Sequence, residues 1–344
     1  MRIAFILGPY RPSACGVSDY VKLLCEALEQ RNQSCQIISI STSQGTTFSD
    51  LAKSLPDADV ISLQFSPYAF SPNGLSGAPI LNFANSINPR KLHVMFHEIW
   101  IGAYPKAPWK ERFVGWKQKR EVLKFLNLAR PDWIHTTNCA ALHRLQAEGV
   151  IASYLHLFGG IPLANGKHQP KDKKTVSAIL FGTLYNNFPY EQLMRKLCQL
   201  EKECGKKIQL TLIGIQRETL GLNKLKKFAS QATISIKETG KLSTEEISIY
   251  LQASDIAIST TPLDCLGKSM STATFLEHGL PVLTFDDGDT PQDKLFFRQR
   301  FNEQIILLNE SGSVERMAGI LDEPKRKFFD GVATTTDQML SEFS

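Results

Sequence analysis

MRIAFILGPYRPSACGVSDYVKLLCEALEQ, residues 1–30, contains one complete step of an α/β fold. Ile3–Leu7 is an apolar run of five residues ended by Gly8-Pro9, too short for a helix or for the core of a signal peptide, and no cleavage site follows it. It reads as a strand buried on both faces. Beyond it Val17, Tyr20, Val21, Leu24, Ala27 and Leu28 recur at helical spacing, which predicts a helix over 17–30. The chain then repeats this alternation. Further strands are expected at Cys35–Ile40, Val60–Phe65, His93–Phe96 and Trp133–Thr136. After Ile161-Pro162 the polar run 165–174 reads as a linker. Strands then return at Ser177–Phe181, Gln209–Ile213, Thr233–Lys237, Ile256–Ser259 and Pro281–Phe285. They are separated by helical patterns at Tyr190–Glu203, Leu222–Ala229, Thr244–Ala253 and Met270–Glu277.

Strands alternating with helices imply parallel sheets covered on both faces. The expected fold is therefore α/β, with two Rossmann-like doubly wound domains over 1–164 and 175–344, the last helix packing back on the first domain. Ligands of such sheets bind beyond the carboxyl ends of the strands, so the expected site is the cleft the two domains face. A chain of 344 residues suits two domains of that size. Its 42% hydrophobic and 21% charged content argues against global disorder. No apolar stretch approaches the roughly 20 residues of a membrane-spanning helix. The seven cysteines are odd in number and contain no C-x-x-C pair, which disfavours a disulfide framework or zinc ribbon and points to reduced thiols in a cytoplasmic protein. The net charge of +5 is too small to indicate nucleic acid, but the excess is local. Residues 1–165 carry 16 Lys and Arg against 11 Asp and Glu, whereas 166–344 carry 23 of each.

Unusual residues gather in the loops after the strands. Gly16 stands just before a helix, where backbone N–H groups and the helix dipole favour an anion, with Ser18 or Asp19 as the candidate N-cap. The loop is neither a dinucleotide fingerprint nor a P-loop. His97-Glu98 directly follows an apolar strand and could supply a base or bind a hydroxyl, and Ile101 rules out the H-E-x-x-H zinc motif. Gly182-Thr183 ends the first strand of the second half with a residue that permits close backbone approach. Gly267, Lys268 and Ser269 lead into the helix opening at Met270, bringing backbone N–H groups, a hydroxyl and a point charge suited to a diphosphate. Gln64, ending the third strand, is a candidate for the acceptor pocket. Asp286-Asp287-Gly288-Asp289 reads as a polar loop rather than a cation site.

Taken in order, Cys15-Gly16-Val17-Ser18-Asp19-Tyr20, His97-Glu98, Leu157-Phe158-Gly159-Gly160-Ile161-Pro162, Gly240-Lys241-Leu242, Ala253-Ser254-Asp255-Ile256 and His278-Gly279-Leu280-Pro281-Val282 span nearly the whole chain. In this the chain resembles glycosyltransferases of the two-Rossmann GT-B fold, in particular the family-4-type group that uses nucleotide-sugar donors. The resemblance implies transfer of a sugar from a nucleoside-diphosphate sugar to a hydroxyl of a glycan or lipid-linked acceptor, with retention and without a metal or other cofactor. It implies that Gly16 lies under the donor diphosphate, that Gly182, Thr183, Gly267, Lys268, Ser269 and Met270 complete the donor site, and that backbone near Gly240 and Leu242 holds the base. His97, with Glu98, would face the reacting groups, and Asp19, Gln64 and Trp100 would line the acceptor side. The chain departs from the family pattern in its second half. Leu266 and Thr274 stand where two glutamates are usual, Glu277 is off register, and the usual Arg and Lys are missing from Thr183–Tyr190. Lys268 is expected to replace the missing cation. The alternatives are a non-catalytic relative that binds nucleotide or sugar, and a nucleotide-sugar epimerase, which calls for a further carboxylate pair that the strand-end loops do not display.

Residues 105–130 hold eight Lys or Arg against Glu111 and Glu121, with Trp109, Phe113 and Trp116 at helical spacing. Two readings stand: a peripheral contact with anionic lipid at the inner membrane face, suited to a lipid-linked acceptor, or aromatics packed on the sheet beneath a solvated basic face.

Overall fold

The structure, a computed structural model, describes residues 1–12, 14–40, 46–87, 91–103, 107–165, 174–214, 219–286, 291–301, 304–322 and 327–344. Most of the polar run expected as a linker, 166–173, lies outside them. The chain forms two compact units, one of Met1–His156 with Val332–Ser344 and the other of Leu157–Gly331.

In the first unit β1 (Arg2–Leu7), β2 (Ser34–Ser39), β3 (Val60–Phe65), β4 (Lys91–Phe96), β5 (Trp133–Thr136) and β6 (Ser153–Tyr154) form one sheet in the order β2-β1-β3-β4-β5-β6. All neighbouring pairs are parallel. Ile3–Leu7 and all of β3 are buried, as strands covered on both faces must be. The helix Gly16–Glu29 turns Tyr20, Val21, Leu24 and Leu28 inward, the stripe its spacing predicts. The helix Gly331–Phe343 buries Thr335, Met339 and Phe343, a stripe at four-residue intervals, and Phe343 packs on Trp133 with ring centroids 4.6 Å apart.

The second unit repeats the plan with β7 (Thr175–Phe181), β8 (Lys207–Ile213), β9 (Ser235–Glu238), β10 (Ile256–Pro262), β11 (Val282–Phe285) and β12 (Ile305–Leu307), ordered β12-β11-β10-β7-β8-β9 and again parallel. Its core takes Leu193, Met194, Leu197 and Leu200 from the helix Tyr190–Cys204 and Leu222 and Leu225 from the helix Leu220–Ala232. Two doubly wound parallel sheets are thus the fold.

The elements absent from the sequence reading include β6, β12 and the helices Phe48–Lys53, Pro67–Phe70, Ala78–Ser86, Cys139–Ala147, Pro291–Phe301 and Ser313–Asp322. One boundary moves for a clear reason. Thr233, expected to open a strand, is instead the left-handed C-cap of the preceding helix, with φ 58°, and β9 starts at Ser235.

Candidate functional site

Each sheet reverses its winding direction once, and in open α/β sheets ligands bind outside the carboxyl ends of the strands at that point. In the first unit the reversal lies between β1 and β3, in the second between β7 and β10. Gly16 and Gln64 lie at the first of these places and Gly182, Thr183, Gly267, Lys268, Ser269 and Met270 at the second, whereas His97, Glu98 and Trp100 follow β4 and Gly240 and Leu242 follow the edge strand β9.

In the first unit the loop after β1 is tied down by side chains. Ser39 Oγ donates to Gly8 O (3.2 Å) and accepts from Tyr10 N (3.1 Å). Ser18 Oγ accepts from Arg11 N at 2.9 Å, so it staples the loop. Neither Ser18 nor Asp19 is the N-cap expected of them: the cap position is Cys15, whose side chain makes no capping bond. The reason is register, since the helix already begins at Gly16. Gly16 is exposed and Asp19 half-buried. One turn into this helix the Tyr20 ring meets His97 edge-on, centroids 5.1 Å apart.

His97 follows β4 and is held by its neighbour strand. Its backbone N–H donates to Phe65 O (3.0 Å), and its Nε2 lies 2.9 Å from Gln64 Oε1. With the Gln64 amide oxygen facing it, Nε2 is the donor in this arrangement, and a neutral ring then keeps its lone pair on Nδ1. Gln64 is buried, and its Nε2 donates to Ser62 Oγ at 2.8 Å. Both ends of its amide are therefore engaged within the protein. Ser62 Oγ lies 2.8 Å from His93 Nδ1, His93 Nε2 3.2 Å from His135 Nδ1, and His135 Nε2 2.8 Å from Glu342 Oε2. That last contact is a close approach of carboxylate to ring without hydrogen-bond geometry, and it leaves His135 Nε2 with no hydrogen-bond partner. Burial holds His93 well below the ordinary imidazole pKa, with His135 and His97 adding to the shift. Burial also lowers His135, with Glu342 opposing it. Sequence reasoning missed Ser62, His93, His135 and Glu342.

Glu98 is exposed and accepts from Ser66 Oγ at 3.1 Å. Trp100 is half-buried with the Lys119 ammonium 5.9 Å from its ring centre. The loop carrying them docks on the helix Trp109–Ala129. Gln118 Oε1 accepts from Ile101 N (3.0 Å), and a Cβ at Gly115 would stand 1.9 Å from Ile101 O.

In the second unit Gly182, Gly214 and Gly240 end the adjacent strands β7, β8 and β9 in left-handed conformations, with φ 104°, 92° and 69°. The last two are joined by Gly214 N donating to Gly240 O at 3.1 Å. A Cβ on Gly182 would come within 2.7 Å of Ser271 Oγ, so Gly182 lies against the first turn of the helix Met270–Glu277. Thr183, next to it, is exposed and its carbonyl accepts from Thr260 Oγ1. Gly267 is buried, Lys268 is exposed, and Ser269 caps the helix by accepting from Thr272 N at 3.2 Å. Gly182, Thr183, Gly267, Lys268, Ser269 and Met270 thus gather at one switch point. Leu242, half-buried, follows Gly240 at the far side of the sheet. Gly214 was missed by sequence, although an isolated glycine closing an apolar strand is a readable signal.

Two residues of the sequence motifs are structural. Glu277 is buried and accepts from Gly159 N at 2.8 Å. His278 Nδ1 lies 2.8 Å from Thr274 O, which makes it the N–H, so Nε2 accepts from Ser248 Oγ at 2.8 Å. Asp286 pairs with Lys294 at 2.8 Å, and 287–289 lie outside the described residues. In the basic segment, residues 105 and 106 also lie outside them. The expectation that its aromatics pack on the sheet is overturned. Trp109, Phe113 and Trp116 are 73%, 52% and 50% exposed, because the helix turns Val122, Phe125, Leu126 and Ala129 inward instead. Lys117 lies over the Phe113 ring and Arg120 over Trp116. Among the described residues no helix is long and apolar enough to cross a membrane.

No protein-family model and no curated protein matches the chain by sequence. Solved structures do match its fold. A glycosyltransferase from Rickettsia africae is 13% identical with a TM-score of 0.58, the match covering 99% of this chain and 93% of that one. Anabaena Alr3699/HepE, solved with UDP and glucose, is 14% identical at 0.57, covering 100% and 96%. UDP-GlcNAc 2-epimerase of Methanocaldococcus jannaschii is 12% identical at 0.53, covering 99% of both chains. At these identities the likeness is one of fold.

Proposed function

We propose that the chain is a glycosyltransferase that moves a sugar from a nucleoside diphosphate to a hydroxyl of a glycan or lipid-linked acceptor, with retention and without a metal. The observation that carries this reading is the second unit's switch point, where the side-chain-free turn at Gly182 lies against the helix that the exposed Lys268 precedes. A departing nucleoside diphosphate gains negative charge as the C1–O bond breaks, and a fixed cation with helix N–H groups is a setting that stabilises it. In this reading Lys268, Met270 and the backbone of Gly182 and Thr183 hold the diphosphate, and Gly240 and Leu242 hold the base. Gly16, in the first unit, offers that unit's own helix-start N–H groups to an anion. Ser269 keeps the helix start in shape. His97 receives the acceptor hydroxyl at its lone-pair nitrogen, Glu98, Asp19 and Trp100 line the approach, and Gln64 acts by holding His97. The fold shared with HepE, a protein solved with UDP and glucose, supports a nucleotide-sugar ligand.

The test is a thermal-shift screen against nucleoside diphosphates and their sugars, each with magnesium and with EDTA. A ligand of the folded state raises Tm, by the equivalent of about 2.7 kcal/mol at a hundredfold excess over Kd. One nucleotide should do so equally in EDTA, and Lys268→Ala should abolish the shift. An absence of any shift overturns the reading. The fold shared with the Methanocaldococcus jannaschii epimerase supports a second reading, and the product separates the two. An epimerase inverts a sugar carbon with no acceptor present, whereas a retaining transferase leaves the nucleotide sugar unchanged until an acceptor is added and then passes the sugar on with its configuration kept.

A further inference from the structure

We propose that Glu342, on the C-terminal helix, sets the tautomer of His97 through the buried chain Gln64–Ser62–His93–His135, and is thus a positioning residue for the first unit's site. The proposal rests on the transferase reading only for what His97 does with an acceptor.

The argument is one of hydrogen-bond direction along the chain and of the carboxylate's negative charge at its end. Five contacts link His97 to Glu342: 2.9 Å to Gln64, 2.8 Å on to Ser62, 2.8 Å to His93, 3.2 Å to His135 and 2.8 Å to the carboxylate. Ser62, Gln64, His93 and His135 are at most 1% exposed, so water does not substitute for these partners. Every intermediate member can run either way. An imidazole exchanges its donor and acceptor nitrogens, a hydroxyl rotates, and an amide turns over. Only the carboxylate is fixed, because it accepts and never donates when ionised. It is itself steadied by Gln338 Nε2, which donates to Glu342 Oε1 at 3.0 Å.

From that end the assignment propagates. A carboxylate oxygen 2.8 Å from His135 Nε2 favours N–H over a lone pair there, whether or not the contact is linear. His135 Nδ1 then accepts from His93 Nε2–H, and His93 Nδ1 accepts from the Ser62 hydroxyl. Ser62 accepts from the Gln64 amide, whose oxygen accepts from His97 Nε2–H. The lone pair of His97 is left on Nδ1. The opposite run would set a lone pair of His135 against the carboxylate. Sheet register supports the path. Ser62 pairs with His93, Gln64 with Met95 and Met95 with His135, so all these side chains share one face of the sheet. Phe343 packs on that face against His93 and Trp133, which brings the neighbouring Glu342 to it. Among the described residues no three His, Cys, Asp or Glu are placed to hold a metal, so the group is read as a hydrogen-bond chain.

The experiment is nitrogen-15 NMR of the histidine-labelled full chain without substrate, at a pH where His97 is neutral. Ring-nitrogen shifts distinguish the two tautomers directly. In the native chain His97 should be the Nε2–H form. Glu342→Lys presents a donor to His135 and should invert His97 to the Nδ1–H form, Glu342→Ala should give a mixture, and Glu342→Gln, which can still accept, should retain the native form. Ser62→Ala cuts the chain midway, and adding Glu342→Ala to it should change His97 no further. An unchanged His97 in both Glu342→Ala and Glu342→Lys overturns the proposal, as does an equal effect of Glu342→Ala with and without Ser62. The Lys268 test of the transferase reading uses neither variant, so the two can fail separately. Where transfer is measured, Glu342→Ala should lower kcat and leave the donor KM unchanged, and restoration by Glu342→Gln separates positioning from damage to the helix.

Discussion

His93 shows how one buried side chain makes the stability of the first unit depend on pH. Burial is the largest cause of its depressed pKa, and the groups facing it are His135 and His97, with Glu342 beyond His135. The folded state therefore keeps His93 neutral where an unfolded chain, with an ordinary pKa of about 6.5, takes up a proton. Below that pH the unfolded state binds more protons, so stability is complete above about pH 6.5 and is lost as pH falls toward the folded value. The slope reaches about 1.4 kcal/mol per pH unit for each such group. Urea midpoints at pH 7.5 and 5.5 should drop steeply for the native chain and less for His93→Gln. The slope is the readout, since the substitution also shifts the level, and equal slopes would remove His93 as the cause. Residues of this kind were partly legible. His97 stands out because a polar pair closes an apolar strand. Ser62, Gln64, His93 and His135 lie at alternate positions of buried strands, a pattern visible in sequence. Their partnership requires the register of three strands and a helix some 200 residues later, which no local spacing encodes.

At the scale of elements, the helix Trp109–Ala129 divides its apolar residues between two tasks. Its C-terminal half buries Val122, Phe125, Leu126 and Ala129, while Trp109, Phe113 and Trp116 stay exposed among Lys110, Lys117 and Arg120. An exposed aromatic stripe with cations over its rings matches an interfacial anchor, in which each basic side chain near an anionic surface contributes about 1 kcal/mol. We therefore propose lipid contact through this half. The native chain should co-sediment with phosphatidylglycerol vesicles and not with phosphatidylcholine alone, less strongly at high salt. Replacing the three aromatics by serine should abolish sedimentation and leave the unfolding free energy from urea titration within about 0.5 kcal/mol, as expected of exposed positions. Sedimentation unaffected by the triple substitution would refute the anchor. The sequence displayed the stripe but left its direction open, because aromatics at helical spacing serve a core equally well. What decided it is Gly115, whose missing side chain lets the helix close on Ile101 and fixes which face is buried. Long periodic helices and buried strands were legible for the same reason that they are stable: each repeats its signal over several turns or pleats. The two-residue β6 and three-residue β12 repeat nothing and exist by pairing with β5 and β11.

For the whole molecule the consequential feature is that the first unit is assembled from both ends of the chain. Val332–Ser344 completes it, with Thr335 Oγ1 donating to His156 O at 2.8 Å, Arg31 paired with Asp337 at 2.8 Å, and Met339 and Phe343 buried. Burial of two such apolar side chains is worth roughly 1.5–3 kcal/mol each, a large share of a domain's usual 5–15 kcal/mol. All four tryptophans, at 100, 109, 116 and 133, belong to this unit, so intrinsic tryptophan fluorescence reports it alone while far-ultraviolet circular dichroism reports both units. A chain ending at Gly331 should lose several kcal/mol from the fluorescence transition, which moves to lower urea. The part of the dichroism signal due to the second unit should keep its native midpoint, since Leu157–Gly331 retains its own sheet and core. If the second unit also holds the nucleotide, Lys268-dependent binding survives the truncation and transfer does not. A common shift of both signals would instead mean that the two units unfold as one cooperative body, and the C-terminal helix would then be a determinant of the whole chain's stability rather than of the unit it joins.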